Sequence, residues 1–348
     1  MKIAILTPTF NYYSGVDRVA QERAEYYSKK GNDVTVFSLE AKIKPKGYKI
    51  IELGKPRSPF LERIYRLFPF FIMKDDYIKK LKGYDMTISF LYPMDVLSYH
   101  AKKRFNSKYI AWFCGNAPGE NLVERVYMNI YSFFYNRYIK NADKIVCVSN
   151  TIKNKLIKNS PNIDISKIEV EYNKVDKVRF NSNVKKLNLS KVNKIIKAYN
   201  LKNKNVFLYV GRLATSKRVD LLIKMFKMEK NEHPEYKLLI VGKETFKRYF
   251  KKLLSMADED IIFTGFVDDK DLPAYYAVSD VYVTASSDEG FNLPAVEAQA
   301  CGKPVIAFDV GAHKEFIKKG ILVPEGDIQG FTDAMNNYAN SIKITKDQ

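Results

Sequence analysis

The chain has 348 residues, of which 46% are hydrophobic and 28% are charged, and its formal net charge is +19. These values are typical of a globular protein long enough for two domains. The longest apolar run, Leu67 to Met73, has seven residues, which argues against a membrane span of about 20 residues. Three scattered cysteines argue against a disulfide framework or a zinc site, and a reducing cytoplasm is expected.

Positive charge is concentrated in two segments. Residues 57–140 hold 14 basic and 7 acidic side chains, and residues 144–204 hold 15 and 4. Such an excess favours anionic partners, which could be membrane lipid, nucleic acid or nucleotide phosphates. The alternative is a lysine-rich surface that only keeps the protein soluble. Binding to nucleic acid would rest on charge alone, so no nucleic-acid partner is expected.

The first elements form a predicted strand–helix–strand unit. The strands cover Lys2 to Thr7 and Asp33 to Ser38, and the helix runs from about Val16 to Lys30. This order predicts a parallel sheet. The connecting loop lacks the three-glycine dinucleotide fingerprint, which argues against nicotinamide binding. Gly15 is either an ordinary glycine at a helix start or a point where the backbone approaches a ligand phosphate.

Four more strands are predicted in the first half, at 85–90, 109–113, 144–148 and 168–172. Two stretches, 60–74 and 122–138, mix aromatic with basic side chains. Each is either a helix packed on the sheet or an amphipathic segment at a membrane surface.

Residues 180–204 are polar and rich in lysine and asparagine, which is typical of a connecting segment. The predicted division is therefore a first domain over 1–185, a linker over 186–200 and a second domain over 201–348.

The second half opens with a predicted strand, Val206 to Val210, followed by Gly211, Arg212 and then Lys217. Two cations at a helix start suit a pyrophosphate, because the helix N-terminus also attracts negative charge. The alternative is a pair of ordinary surface basic residues. Further strands are predicted at 236–241, 261–264, 281–284 and 305–308.

After the strand that ends near Thr284, a polar loop contains Glu289 and Gly290, and Pro294 opens a short helix. The N-terminus of this helix can hold phosphate or hydroxyl oxygens through its backbone N–H groups. Glu297 lies eight positions after Glu289, about two helical turns, so both carboxylates can face one cleft. Each could instead be a solvated surface side chain.

The string from Ser286 to Val305 resembles the Glu–seven residues–Glu signature of the retaining GT-B glycosyltransferases of family 4, the glycosyl transferases group 1. The resemblance extends over nearly the whole chain and is strongest at 1–38 and 206–324. It implies an α/β protein with the GT-B fold, in which two Rossmann-like domains face each other across a cleft. It also implies transfer of a sugar, with retained configuration, from a UDP- or GDP-sugar to a hydroxyl of a glycan or lipid-linked acceptor. Such reactions build cell-envelope glycans.

The resemblance implies that the donor lies on the second domain and the acceptor on the first. Arg212 and Lys217 would offset the charge of the leaving diphosphate, and Glu297 would accept hydrogen bonds from ribose hydroxyls. The loop from Asp309 to His313 is expected near the cleft. The full set of expected donor-binding residues is Gly15, Arg212, Lys217, Gly242, Phe266, Val267, Glu289, Gly290, Phe291, Asn292, Leu293 and Glu297.

Three positions depart from the family pattern. The histidine that many members carry after the strand matching 109–113 is absent, and Asn116 and Glu289 are the expected catalytic residues here. Arg218 stands where the family usually has a glycine after the lysine, and Lys174 replaces the glycine of Asn-Gly-Val-Asp. No acidic pair follows a strand, so no metal or other cofactor is expected, and cations would take the metal's electrostatic role.

Two alternatives remain. One is a nucleotide-sugar-binding protein with altered or lost catalysis, and the other is a nucleotide-sugar 2-epimerase, which would need acid and base groups in the first domain. The expected partners are a nucleotide-sugar donor, a glycan or lipid-linked acceptor and, if the aromatic side chains face outward, an anionic membrane surface. The expected location is the cytoplasm, with peripheral attachment to the cytoplasmic face of the membrane in that case.

Overall fold

A computed structural model describes residues 1–11, 15–54, 75–115, 122–230 and 232–346. The chain divides into two compact units, Met1–Asn173 and Lys174–Gln348. Each unit contains a parallel sheet with helices in its connections.

The strands of the first unit pair in the order β3-β2-β1-β4-β5-β6-β7, and every pairing is parallel. The strand order reverses between β1 and β4, which makes their carboxyl ends a topological switch point. The elements are β1 (Lys2–Phe10), α1 (Gly15–Lys29), β2 (Asp33–Ala41), β3 (Lys49–Glu52), α2 (Asp75–Lys79), β4 (Met86–Phe90), α3 (Met94–Phe105), β5 (Lys108–Phe113), α4 (Leu122–Ile139), β6 (Lys144–Cys147), α5 (Asn150–Asn159), a 3₁₀ turn (Ile165–Lys167) and β7 (Ile168–Val170).

The sheet of the second unit has the order β10-β9-β8-β11-β12-β13 and is likewise parallel. Its switch point lies between β8 and β11. The elements are α6 (Val184–Leu187), α7 (Leu189–Ala198), β8 (Asn205–Val210), a 3₁₀ turn (Thr215–Lys217), α8 (Val219–Lys230), β9 (Tyr236–Val241), α9 (Lys247–Met256), β10 (Ile261–Gly265), α10 (Leu272–Val278), β11 (Val281–Thr284), α11 (Leu293–Ala300), β12 (Val305–Phe308), α12 (His313–Phe316), β13 (Gly320–Val323) and α13 (Ile328–Lys346).

Both faces of the second sheet are covered, which is why its strands read as continuous apolar runs. Alternate residues of a strand point to opposite faces. Phe207 of β8 packs in one core cluster with Phe226 and Phe331, whereas its neighbour Leu208 packs in another with Val192 and Tyr276. The two Rossmann-like α/β units predicted from the sequence are confirmed.

The division between the units lies earlier than the predicted linker. Residues 186–200 fall largely within α6 and α7, and Val192 and Ile195 are buried in the same core cluster as Tyr276 of α10. These apolar side chains recur at helical spacing among lysines and asparagines, and packing against α10 makes the segment part of the second unit. The sparse apolar pattern was therefore enough for a helix.

The second aromatic-basic stretch forms α4, whereas 60–74 lies outside the described residues. Val126, Ile130 and Phe133 are 51%, 36% and 67% exposed. Their spacing of four and three residues puts them on one face of the helix. Tyr135 and Tyr138 are buried, so this stretch both packs on its own unit and presents an apolar face outward. Within the described residues, no helix combines the length and apolarity that crossing a bilayer requires.

Candidate functional site

Two loops meet at the switch point of the second sheet. One follows β8 and the other follows β11, and the backbone N–H and the hydroxyl of Ser287 donate to the carbonyl oxygen of Ser216 at 3.0 and 3.1 Å. Beside this contact, Nζ of Lys217 lies 2.7 Å from Oε1 of Glu289. Two residues singled out separately in the sequence are thus brought into one ion pair at the carboxyl end of the sheet, where ligands of open α/β sheets bind.

The ion pair is largely shielded from water, because the side chains of Lys217 and Glu289 are 18% and 11% exposed. Burial would raise the pKa of Glu289, but the ammonium of Lys217, together with the nearby His313 and the hydrogen bonds from Lys217 and Ser286, outweighs it. The pKa of Glu289 therefore lies below its usual value, and the group is a carboxylate at neutral pH.

The N-terminus of α11 follows this loop. Oδ1 of Asn292 accepts a hydrogen bond from the backbone N–H of Ala295 at 3.2 Å, which makes Asn292 the N-cap. Pro294 lies in the first turn, as predicted, where its missing N–H costs nothing. Gly290 directly precedes Phe291, whose ring packs on Phe316 with centroids 4.6 Å apart.

Glu297, the second carboxylate of the motif, is not a solvated surface side chain. It is fully buried on α11, and its Oε2 accepts a hydrogen bond from the hydroxyl of Tyr276 at 2.8 Å. The ribose contact implied by the resemblance stays a prediction.

The loop after β12 contacts the backbone of Glu289. The backbone N–H of Ala312 donates to the carbonyl oxygen of Glu289 at 2.9 Å. Gly311 has φ +55°, and a Cβ atom there would lie 2.2 Å from that same oxygen. The loop can approach this closely only with glycine at position 311.

His313, which the sequence reasoning placed in this loop without a role, completes the cluster. It is fully buried, with Nδ1 2.6 Å from the carbonyl oxygen of Phe308 and Nε2 3.2 Å from Nδ2 of Asn292. The available signal was a lone histidine two positions after a glycine turn at the carboxyl end of a strand.

The remaining residues after β8 and β9 divide into backbone and side-chain roles. A Cβ atom at Gly242 would lie 1.8 Å from the carbonyl oxygen of Gly211, so glycine allows the two strand ends to lie side by side. Arg212 is exposed and makes no ion pair within the part of the chain that the structure describes. Its carbonyl oxygen accepts a hydrogen bond from the buried Tyr209 hydroxyl at 2.9 Å.

The departure at position 218 has a visible backbone context. Arg218 adopts the left-handed conformation, with φ +46° and ψ 42°, and its N–H donates to the carbonyl oxygen of Thr215. A non-glycine residue loses about 1–2 kcal/mol in this region, which explains why glycine suits the position. The guanidinium of Arg218 lies 3.0 Å from Glu325.

Phe266 and Val267 follow β10 at the same edge of the sheet. They line a groove of about 440 Å³ together with Lys191 and Lys194 of α7 and Tyr275 of α10. Because β10 lies two strands from β8, the groove begins roughly 10 Å along the sheet from the strand that leads to Lys217.

Two residues predicted for the site, Gly15 and Asn116, belong to the first unit. Gly15 is the first residue of α1, and a Cβ atom there would meet no described atom within 4 Å, which fits an ordinary helix start. Asn116 lies outside the described residues. Among the residues that are described, no three His, Cys, Asp or Glu side chains cluster as metal ligands would, and metal independence stays a prediction.

Comparison with known families divides the chain as its two sheets do. The family described as "Glycosyltransferase Family 4" matches residues 13–179, and the family described as "Glycosyl transferases group 1" matches residues 191–344.

Curated relatives share part of the sequence. An uncharacterized 41.2 kDa protein in the cps region of Klebsiella pneumoniae is 34% identical over 174 residues, which are 49% of this chain and 44% of that protein. The O-antigen chain mannosyltransferase RfbU of Salmonella typhimurium is 27% identical over 223 residues, 63% of this chain and 56% of RfbU. The chain thus spans about half the length of these relatives.

The fold is shared along almost the full length with solved structures. The crystal structure of Anabaena HepE in complex with UDP-glucose has a TM-score of 0.79 and 18% sequence identity, covering 99% of this chain and 91% of HepE. Sucrose-phosphate synthase from Thermosynechococcus elongatus has a TM-score of 0.76 and 19% identity, covering 97% and 90%. The two family matches establish that the chain belongs to the group 1 glycosyltransferases, and the likeness to solved structures shows the GT-B fold.

Proposed function

We propose that the protein is a retaining hexosyltransferase that moves a sugar from a UDP- or GDP-sugar to a hydroxyl of a glycan or lipid-linked acceptor. The observation that carries this proposal is the Lys217–Glu289 ion pair, held at 2.7 Å on the switch point of the second sheet and beside the N-terminus of α11. Switch points are where open α/β sheets bind nucleotides.

The charges of the site suit a leaving diphosphate. As the bond to the sugar breaks, negative charge grows on the diphosphate, and fixed cations nearby stabilise it. Lys217 is already positioned by Glu289, and Arg212, five residues earlier in the same loop, is exposed. The N-terminus of α11 adds a partial positive charge. In this proposal Glu289 and the backbone of 290–293 hold the sugar and phosphate.

The nucleoside end of the donor is proposed to extend toward β10. Phe266 and Val267 line the groove there, and its lysines are balanced by Asp268 and Asp271, which suits an uncharged base. Glu297 accepts the ribose hydroxyls in this proposal. Because Glu297 is fully buried against Tyr276, ribose binding requires a small opening of that contact.

The acceptor is proposed to be a cell-envelope glycan or its lipid-linked precursor. The names of the relatives refer to an O-antigen chain and to a cps region. The exposed face of α4 supports a peripheral site at an anionic membrane on the cytoplasmic side. Arg137 is exposed, and its spacing of four residues from Phe133 puts it on the same face of the helix. The exposed Lys140 follows the last helical residue, Ile139.

Metal independence belongs to the same proposal, since Arg212 and Lys217 would take the electrostatic role of a metal ion. Transfer should therefore continue in excess chelator. Activity that disappears with chelator and returns with magnesium or manganese would contradict this.

Thermal-shift titration against a panel of UDP- and GDP-sugars tests the donor assignment. A true donor raises the melting temperature with concentration, because it binds only the folded state. NMR of the product then reports whether the anomeric configuration is retained. If no nucleotide sugar stabilises the protein, the proposal fails.

Incubation of the stabilising donor with and without acceptor separates the alternatives. Release of an epimerised sugar without acceptor would favour a 2-epimerase. Binding without turnover would favour a protein that has lost catalysis, an outcome that Asn116 in place of the family histidine would explain.

A further inference from the structure

His313 lies between the end of β12 and the loop that carries Glu289. Its ring is fully buried, and both nitrogens are engaged: Nδ1 is 2.6 Å from the carbonyl oxygen of Phe308, and Nε2 is 3.2 Å from Nδ2 of Asn292. Asn292 is itself 4% exposed and caps α11. The imidazole thus joins a strand end to the N-cap of the proposed donor-binding helix.

The hydrogen bonds assign one tautomer to this ring. Oδ1 of Asn292 accepts from the N–H of Ala295, which leaves Nδ2 to face His313. An amide nitrogen can only donate, so Nε2 must be the unprotonated acceptor. Nδ1 then carries the proton and donates it to Phe308. The network assigns this proton position, and it is satisfied only by neutral imidazole.

The electrostatic surroundings act in both directions. Charged groups on three segments influence the ring: Glu289 after β11, Lys217 before α8 and Asp309 on the loop of His313 itself. Burial, the largest influence, and Lys217 lower the pKa of His313, whereas Glu289, the Phe308 carbonyl and Asp309 raise it. The lowering prevails, which favours the neutral ring at neutral pH.

We infer that neutral His313 is a positioning residue for the proposed donor site, because it fixes Asn292 and the loop that carries Glu289. The inference rests on the proposed function for the identity of the ligand, whereas the proton position in His313 does not. His313 touches neither reacting atom nor donor in this assignment, and it acts through Asn292.

Protonation should release this contact. A proton on Nε2 would face the two protons of the Asn292 amide, and turning that amide over would cost the bond to Ala295. A histidine with a lowered pKa in the folded state contributes stability that is complete above its unfolded pKa, about 6.5. That contribution is lost as the pH falls from there toward the folded pKa. Donor affinity should decline at lower pH, as the pH falls through the folded pKa of His313 and the ring itself becomes protonated.

Nitrogen NMR of selectively labelled histidine tests the proton position without any substrate. The chain has three histidines, His100, His233 and His313, and His313→Gln identifies the resonances of the third. We expect these resonances to report a single neutral Nδ1–H tautomer at pH 7. A protonated ring or the Nε2–H tautomer at that pH would overturn the inference.

Three variants test the positioning role. His313→Phe keeps the ring shape and removes both hydrogen bonds, and donor Kd should rise roughly tenfold or more. His313→Gln places a carbonyl oxygen where Nε2 accepts, and should recover most of that affinity. His100→Gln in the first unit is the matched control and should leave Kd unchanged. A His313→Phe variant that folds and binds donor like the wild type would overturn the inference.

Asn292→Asp gives a readout that loss of packing would not mimic. Aspartate caps a helix as well as asparagine, but it replaces the donor facing Nε2 with an anionic acceptor. The pKa of His313 should therefore rise, and the midpoint of its NMR titration should move to higher pH by about one unit or more. An unchanged titration would contradict the assignment. If the wild type bound no nucleotide sugar at all, the proposed function would fail while the NMR results still decided the role of His313.

Discussion

Two carboxylates shielded from most solvent follow equivalent strands in the two units and carry opposite pKa shifts. Glu289 follows β11 and Asp95 follows β4, and each of these strands borders the first strand of its sheet at the switch point. Glu289 pairs with the ammonium of Lys217, and its pKa is lowered despite burial. Burial raises the pKa of Asp95, and the hydrogen bonds from Ser89 and Tyr109 offset only part of that rise.

The difference lies in the partner. Hydroxyls at 2.6 and 2.8 Å from Asp95 stabilise a carboxylate less than a cation does. The second unit thus keeps a charged pair at its strand ends, where the proposed function places an anionic donor. Among the described residues, the Asp95 network after β4 has hydroxyl donors and no cation on its carboxyl group. A charged pair at the switch point therefore distinguishes the second unit, the proposed donor side, from the first unit.

The largest effect is expected from Gly311→Ala, which disturbs the loop that carries Glu289. The new Cβ would lie 2.2 Å from the Glu289 carbonyl oxygen at a φ of +55°. Overpacking and left-handed strain together should cost about 2–4 kcal/mol, measured by urea unfolding. Gly326→Ala is the matched control, because it has φ +85° and open space around it. Equal losses in the two variants would show that the contact with Glu289 does not matter.

Lys217→Ala removes the cation and should weaken nucleotide-sugar binding by about 1.5–3 kcal/mol, the contribution of a charge-assisted hydrogen bond. The protein should remain folded, because the change removes no part of the apolar core. Isothermal calorimetry with the stabilising donor measures the loss. Lys224→Ala, an exposed lysine on α8, should bind normally. Unchanged affinity in Lys217→Ala would refute the phosphate assignment.

Replacing each carboxyl group by an amide should affect the two units differently. Glu289→Gln leaves Lys217 without its anion and should lower the free energy of unfolding by about 1–3 kcal/mol at pH 7. Asp95→Asn keeps an oxygen for both hydroxyls and should change stability by less than about 1 kcal/mol.

The pH profiles should differ in sign. The lowered pKa of Glu289 contributes stability above its unfolded pKa, about 4.3, which is lost as the pH falls through the folded value. The raised pKa of Asp95 contributes stability below about 3.9, which is lost as the pH rises through its folded value. Thermal unfolding of both variants between pH 3 and 8, each relative to the wild type, measures the two profiles. Parallel profiles would contradict the expected opposite signs.

The smallest effect is expected at the membrane. Phe133→Glu places a carboxylate on the exposed face of α4 and should reduce sedimentation with anionic liposomes about fivefold, roughly 1 kcal/mol, at low salt. Phe246→Glu, at a 57% exposed position in the second unit, should have no effect. High salt or neutral vesicles should abolish wild-type binding. If the wild-type protein does not bind anionic vesicles at low salt, a soluble acceptor is the better interpretation.

The sequence alone predicted eleven of the thirteen strands that the structure describes, because buried parallel strands are continuous apolar runs bounded by glycine, proline or polar residues. It missed β3 and β13, which are edge strands of four residues each. The helix predicted from about Val16 to Lys30 is α1, Gly15–Lys29. The first strand was predicted to end at Thr7, but β1 continues to Phe10 because Thr9 and Phe10 still pair with β2. The motif around Glu289 pointed to the family, since its residues are contiguous.

Only the tertiary structure decided which distant residues meet. Lys217 and Glu289 are 72 residues apart, and Asn292 and His313 are 21 apart. Their contacts depend on the strand order β8-β11-β12, which no local pattern encodes. Nothing in the sequence distinguishes Gly311 from an ordinary turn glycine, whereas in the structure the carbonyl oxygen of Glu289 lies against it. Local sequence determines how each segment folds, whereas the burial and proton position of His313 arise from three loops packing at one sheet edge.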